Sequence, residues 1–230
     1  MDNCRPNILF SMSDDHAAPA ISCYGSQINR TPNIDRIGNE GIRFNNFFCT
    51  NAICTPARAS VLTGKYGHKT GVKTLGDTID QSKHRTFAQI LNQDNYQTAI
   101  IGKWHLGADD WYPQKQGYDF NFGGCDYGQP PYSFDPYNQP KHRHPMIRAG
   151  IPHLPGRKKG QYLSDREAEE AVAFIEKHKD KPFFLNMDNY AVHTPIQAKP
   201  EVSAKYEKKP QTNTKSAKDA ATLASVDDSA

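Results

Sequence analysis

A cysteine, a proline and an arginine stand close together in the sequence Cys-Thr-Pro-Ala-Arg, residues 54–58. Pro56 suits the first turn of a helix, and Thr55 is a suitable cap for it. Cys54 would then lie at the positive end of the helix, where free backbone N–H groups favour an anion. Arg58 follows one turn later on the same face. This spacing predicts a site that processes an anion, although a buried structural cysteine beside a solvated arginine would give the same short pattern.

An acidic pair follows the first predicted strand. Residues 7–12, Asn-Ile-Leu-Phe-Ser-Met, form a short apolar run that predicts a buried strand. Asp14 and Asp15 come just after it, and adjacent carboxylates repel each other unless a positive group lies nearby. A hard divalent cation suits such oxygen ligands, although two solvated aspartates in a turn would have the same sequence.

Two more predicted strands end in groups that can bind an anion or transfer a proton. Residues 98–102 lead to Lys103 and His105, which point to the same side if the segment is extended. Residues 183–187 form a third apolar run, and the chain then reaches His193. Ligand sites of open α/β sheets lie at the carboxyl ends of the strands, so the pattern predicts one shared site.

Cap and stop residues indicate where helices begin and end. Ser164 and Glu167 have the spacing of a capping box, and the charged residues of that helix are expected on its solvated face. An earlier short helix, capped by Thr31, is predicted to turn Ile34 and Ile37 inward. Further helix boundaries are indicated by Gly41, Gly64 and Thr86.

Composition weighs against several classes of protein. The chain has 230 residues, enough for one α/β core, and 28 basic residues against 25 acidic ones give a net charge of +3, which does not suggest a nucleic-acid partner. No apolar run approaches the roughly 18 residues of a membrane span. The five cysteines are irregularly spaced, which indicates neither a disulfide framework nor a zinc site.

Two long segments show little hydrophobic periodicity. Residues 108–160 are rich in Gly, Pro, Tyr, Asp and His, which predicts irregular loops that shape a substrate pocket. Residues 199–230 predict a polar tail with a weak helix at residues 219–226. The pair at residues 188–189, Asp-Asn, ends the third predicted strand and is interpreted as structural.

The segment from Cys54 to Gly64 closely resembles the signature of the sulfatases, Cys-x-Pro-Ser-Arg followed by Ala-x-hydrophobic-Leu-Thr-Gly, with alanine in place of the commonest serine. The family's first strand ends in Asp-Asp, as at residues 14–15. Its Gly-Lys-Trp-His-Leu-Gly matches residues 102–107, and its His-x-Pro loop resembles residues 193–195. The resemblance covers nearly the whole chain and is densest over residues 6–107.

This resemblance implies an α/β fold, the alkaline-phosphatase-like sandwich with a mostly parallel central sheet flanked by helices. It also implies hydrolysis of a sulfate ester on a sulfated carbohydrate or an aryl sulfate. A formylglycine-generating enzyme would oxidise Cys54 to formylglycine. One Ca²⁺ ion would be bound by Asp14, Asp15 and the modified Cys54.

The resemblance assigns roles to four further residues. Arg58, Lys103 and His105 would act in catalysis together with Cys54. Lys103 and His193 would bind the sulfate group and stabilise its charge. His105 is placed to assist the release of sulfate.

In sulfatases an Asp-Asn pair that completes the calcium site, and a further lysine, follow the segment that residues 227–229 resemble. We therefore expect residues 1–230 to be the incomplete N-terminal catalytic portion of a sulfatase, with weak calcium binding and impaired turnover. The family predicts a periplasmic or secreted protein. The sequence shows no signal peptide, which leaves a cytoplasmic location open.

Two alternatives stay open. One is a phosphodiesterase or phosphonate monoester hydrolase of the same superfamily; Cys54 argues against it, because those sites often have a Thr or Ser nucleophile. The other is a non-catalytic fragment that binds sulfated glycans, which affinity without sulfate release would favour.

Overall fold

The computed structural model describes residues 5–137, 151–154, 156, 158–209 and 217–230. Within them the chain forms four strands, β1 (Ile8–Met12), β2 (Gln97–Gly102), β3 (Phe120–Phe122) and β4 (Phe183–Asp188). The α-helices of this part are α1 (Pro32–Glu40), α2 (Cys54–Thr63), α3 (Gly67–Thr70), α4 (Phe87–Gln93), α5 (Leu163–His178), α6 (Pro200–Glu207) and α7 (Ala217–Asp228). None of the described helices is long and apolar enough to cross a membrane.

The strands form one parallel sheet in the order β1-β4-β2-β3, which confirms the predicted parallel α/β architecture. In the sheet register, Asp188 at the end of β4 is opposite both Met12 of β1 and Gly102 of β2. The residues that follow these three strands therefore start from one edge of the sheet. This register is what brings the candidate site residues together.

Helices cover both faces of the sheet. Ile100 and Phe184 point to one face and pack with Ala59 and Leu62 of α2. Their sequence neighbours, such as Leu185, point to the other face and pack with Phe174 of α5. The alternation follows from the two-residue period of a strand, and it makes β2 and β4 almost continuously buried.

Two strand predictions need correction. β1 was expected to be buried, but it alternates between half-buried and exposed residues, and Leu9 is 55% exposed. The reason is its place at the end of the described sheet, where it pairs with β4 alone. The short strand β3 lies inside residues 108–160, which were expected to be irregular. Residues 138–150 of that region lie outside the described residues.

Three of the predicted helix boundaries are found in the structure. Gly64 ends α2 with φ of 65° and donates its N–H to the carbonyl of Ser60. Thr86 and Gln89 form a complete capping box at the start of α4. Gly41 follows the last residue of α1.

Other boundary predictions are wrong. The capping box at Ser164 does not form, because α5 starts at Leu163 after Tyr162, with no side-chain cap. Thr55 does not cap α2 and instead donates to the carbonyl of His105 at 3.0 Å. The tail is also less polar and more ordered than expected: it contains α6, which was not predicted, and α7, which includes the helix predicted at residues 219–226 and is mostly buried.

Helix α1 is capped from the far end of the chain. Thr31 precedes it but makes no side-chain cap; its hydroxyl donates to Asp35. The buried Asp227 carboxylate of α7 accepts instead from the N–H groups of Ile34 (2.9 Å) and Asn33 (3.3 Å). Ile37 was predicted to face inward but is 62% exposed.

Replacing Asp227 with alanine should lower the free energy of unfolding by about 1–2 kcal/mol, because two N–H groups of α1 lose their acceptor. Denaturant unfolding of Asp227→Ala and wild type measures the difference. Asp228→Ala is the matched control, since its side chain is exposed. Equal losses in the two variants would contradict the cap.

Candidate active site

The predicted site residues meet at the carboxyl ends of β1, β4 and β2, beside the N-terminus of α2. Donor atoms of Asp14, Cys54 and His193 all lie within 4.8 Å of one another. The Sγ atom of Cys54 is 3.8 Å from Asp14 Oδ1. His193 Nε2 is 3.7 Å from Asp15 Oδ2, and Asp15 itself is exposed to solvent. Residues from three separate segments therefore share one cluster.

Two buried cations lie at this edge of the sheet, and each is paired with a carboxylate. The Lys103 ammonium forms an ion pair with Asp14 Oδ2 and is fully buried. Arg58 donates to Asp188 Oδ2 at 3.1 Å and to the carbonyl of Lys103 at 2.9 Å. Buried charges persist when they are paired and hydrogen-bonded, as these are. Each pair thus keeps its positive group buried together with a counter-charge.

Asp188 was interpreted as structural, and sequence reasoning missed its contact with Arg58. It is buried, and Asn186 on the same face of β4 donates to its Oδ2 at 3.3 Å. Burial raises its pKa to about 6, and the Arg58 charge opposes that rise. The sequence did contain a signal for this role, namely a carboxylate at the end of an apolar strand. The predicted site residues of the neighbouring strands β1 and β2 also follow the strand ends, which are in register with Asp188.

His105 lies beside this cluster with its imidazole neutral. Burial, together with the nearby charges of Lys103 and Arg58, lowers its pKa to about 4. Its backbone has φ of 56° and donates to the carbonyl of Cys125 at 2.9 Å. The buried Nδ1 has no hydrogen-bond partner among the described residues. A neutral imidazole in this position can accept a proton.

Glu167 of α5 was expected on a solvated face, and that expectation is wrong. Its side chain is buried behind the site, where Asn189 donates to Oε2 at 2.9 Å. Burial raises its pKa to about 8. The carboxyl is therefore protonated at neutral pH and links α5 to the residue after Asp188.

Glu167 should make stability depend on pH. Its folded pKa is above its ordinary value of 4.5, so the folded state holds a proton that the unfolded state loses between about pH 4.5 and 8. Relative to Glu167→Gln, the free energy of unfolding of the wild type should fall by up to about 1.4 kcal/mol for each unit by which the pH rises across that window. Denaturant unfolding at a series of pH values tests this. Glu207→Gln, at an exposed position, should track the wild type.

The donor set fits a calcium ion when Cys54 is oxidised. Ca²⁺ takes six to eight oxygen ligands, and Asp14 and Asp15 supply carboxylates. The thiol of Cys54 is a poor ligand for this hard ion, whereas an oxidised Cys54 would offer oxygen. Asp14, Asp15 and modified Cys54 would therefore hold the ion, with water or substrate completing its shell.

The family model for Sulfatase matches residues 6–229 of the chain. The chain belongs to the sulfatase family. An N-acetylglucosamine-6-O-sulfatase of Bacteroides thetaiotaomicron is 39% identical over 193 residues, which are 82% of this chain and 31% of that protein. Sulfatase sequences thus match most of the chain.

Solved structures agree with the sequence match. The crystal structure of Ps i-CgsB has a TM-score of 0.83 at 28% identity and covers 98% of this chain and 53% of its own. The structure of BT4656 in complex with D-glucosamine-2-N,6-O-disulfate has a TM-score of 0.71 at 35% identity, covering 91% of this chain and 39% of its own. This sulfatase chain spans about a third to a half of the length of these relatives.

Proposed function

We propose that this chain forms the catalytic site of a sulfuric ester hydrolase that acts on sulfated carbohydrates, with Cys54 oxidised to formylglycine. The observation that supports this most is the position of Cys54 Sγ, 3.8 Å from Asp14 and next to His193, in front of two buried cations. A formylglycine-generating enzyme is the partner that the modification needs.

Different residues of the chain would bind the sulfate group, position the reacting group and stabilise the negative charge. Lys103 and His193 would bind the sulfate oxygens, while Arg58 and the N-terminus of α2 hold the reacting group at position 54. One hydroxyl of hydrated formylglycine would attack sulfur and displace the sugar alcohol, and the second would lose its proton and re-form the aldehyde as the C–O bond to sulfate breaks. A calcium ion would add positive charge beside the sulfate oxygens. Neutral His105 would accept a proton as sulfate is released.

The substrate class is proposed from the relatives and the site together. One relative is named an N-acetylglucosamine-6-O-sulfatase, and another was solved with D-glucosamine-2-N,6-O-disulfate. The buried Lys103 and Arg58 suit an anionic ester of this kind. A sulfated amino sugar is therefore the first substrate to test, followed by an aryl sulfate.

The test is to produce the chain beside a formylglycine-generating enzyme and follow two signals. Peptide mass spectrometry should show conversion of the Cys54 thiol to an aldehyde. Sulfate release from D-glucosamine-2-N,6-O-disulfate should follow conversion. A converted chain that binds this sugar without releasing sulfate would favour the non-catalytic alternative, and preferential cleavage of a phosphonate ester would favour the other hydrolase class.

Gly128 leaves room for the His105 ring, which gives a direct test of that residue. A Cβ at position 128 would lie 2.7 Å from Cε1 of His105. Gly128→Ala should therefore displace the ring and lower the rate of sulfate release at least about tenfold, with little change in stability. Gly38→Ala is the control, because a Cβ there has ordinary contacts. An unchanged rate in Gly128→Ala would argue against a role for His105.

A further inference from the structure

We propose that the chain with Cys54 as an unmodified thiol binds Zn²⁺ through Cys54, Asp14 and His193. These residues offer a sulfur, a carboxylate oxygen and an imidazole nitrogen, all within 4.8 Å of one another. Zinc accepts all three donor types, and three protein ligands with an open fourth position are a usual zinc arrangement. The spacing of the cysteines in the sequence did not indicate a zinc site, because these ligands come from three distant segments of the chain.

The distances require only a small contraction around the metal. Zinc bonds of about 2.0–2.3 Å place neighbouring tetrahedral ligand atoms roughly 3.3–3.8 Å apart. Cys54 Sγ and Asp14 Oδ1 are already 3.8 Å apart. The widest separation in the cluster, at most 4.8 Å, would close by about 1 Å. Cys54 and His193 are half-buried, so the metal can reach the cluster from solvent.

Neighbouring contacts orient two of the ligands. Lys103 holds Oδ2 of Asp14, which leaves Oδ1 directed at the thiol. His193 Nδ1 lies 3.1 Å from the carbonyl of Thr194, a contact that suits the tautomer with the proton on Nδ1. Nε2 is then the atom with a free lone pair. An outer hydrogen bond of this kind is typical of metal-ligating histidines.

The local charge also suits a divalent cation. Asp14 pairs with Lys103 and Asp188 pairs with Arg58, whereas the third carboxylate, Asp15, lies 3.7 Å from His193. One negative charge is left over, and loss of the thiol proton from Cys54 adds a second. On binding, the S–H bond breaks, a sulfur–zinc bond forms and the proton passes to the buffer, with no change of oxidation state.

A change of metal on modification of Cys54 rests on the proposed function, although the zinc site itself does not. Oxidation of Cys54 removes the sulfur and leaves oxygen donors, which suit Ca²⁺ better than Zn²⁺. The same cluster would therefore change its metal preference when the residue is modified.

The test uses the full chain produced without a formylglycine-generating enzyme. Titration with Co²⁺, a spectroscopic substitute for Zn²⁺, should give a thiolate-to-metal absorption band at one equivalent, and added Zn²⁺ should remove it. Calorimetry should show that Cys54→Ser and His193→Gln each bind Zn²⁺ at least tenfold more weakly than the wild type. Cys49→Ser removes an exposed thiol and should match the wild type.

Equal zinc affinity in Cys54→Ser and wild type would overturn the proposal, as would loss of the Co²⁺ band in Cys49→Ser. A second measurement covers the case in which a variant does not fold. In the wild type, Zn²⁺ should slow alkylation of Cys54, followed by peptide mass spectrometry. Alkylation of Cys54 at the same rate with and without Zn²⁺ would also overturn the proposal.

Discussion

Cys54→Ser is expected to lower sulfate release by at least about a thousandfold, the scale found when a nucleophile is removed. A serine hydroxyl could attack sulfur, but it has no second hydroxyl with which to expel the sulfate afterwards. The chain would then stop after one turnover at most. Initial rates of sulfate release from D-glucosamine-2-N,6-O-disulfate measure the effect.

The control for this variant is Cys49→Ser, which changes an exposed thiol in the preceding loop. Both variants should unfold at the same denaturant concentration as the wild type, because neither thiol packs in the described core clusters. Continued turnover by Cys54→Ser would mean that another group attacks the ester, and the formylglycine proposal would fail.

The second large effect is expected when the buried pair of Arg58 and Asp188 is broken. Asp188→Asn leaves the Arg58 guanidinium buried without its counter-charge, and both side chains are about 95% buried. Removing one partner of such a pair costs roughly 3–5 kcal/mol of unfolding free energy. The rate of sulfate release should fall as well, because Arg58 loses the contact that fixes its position.

A double-mutant cycle separates this pair from other contributions. The 3.1 Å contact indicates that Arg58 and Asp188 interact. The double variant, Arg58→Gln with Asp188→Asn, should therefore lose less unfolding free energy than the two single variants lose in sum. Asp180→Asn makes the same substitution at an exposed position and should have little effect. Additive losses in the cycle would show that the two residues act independently.

Much of the fold was predictable because the strands are strongly apolar. The runs that became β2 and β4 are buried on both faces, and such runs are readable from the sequence alone. β3 has only three residues and no clear pattern, so its pairing with β2 was invisible. The capping box at Ser164 failed because tertiary packing placed Glu167 in the interior, where it contacts Asn189.

The sequence predicted which residues form the site but not which of them pair with one another. Asp14, Cys54, Lys103, His105 and His193 could be named from motifs, and the structure gathers them at one sheet edge. Which carboxylate pairs with which cation depends on the strand order and on side-chain direction. The contacts of Asp188 with Arg58, and of Asp227 with α1, therefore needed the three-dimensional arrangement.

The strand order also determines how late in synthesis the sheet around the site can form. β1 joins the described sheet only through β4, which leaves the ribosome about 130 residues after Cys54. At 5–20 residues per second, that delay lasts roughly 7–26 seconds. Until then β4 is missing from its place between β1 and β2, so the pair of Asp14 and Lys103 cannot be held as in the folded sheet, and we expect Cys54 to be accessible. If Cys54 is modified as proposed, this order of synthesis would give the formylglycine-generating enzyme time to reach a cysteine that folding later half-buries.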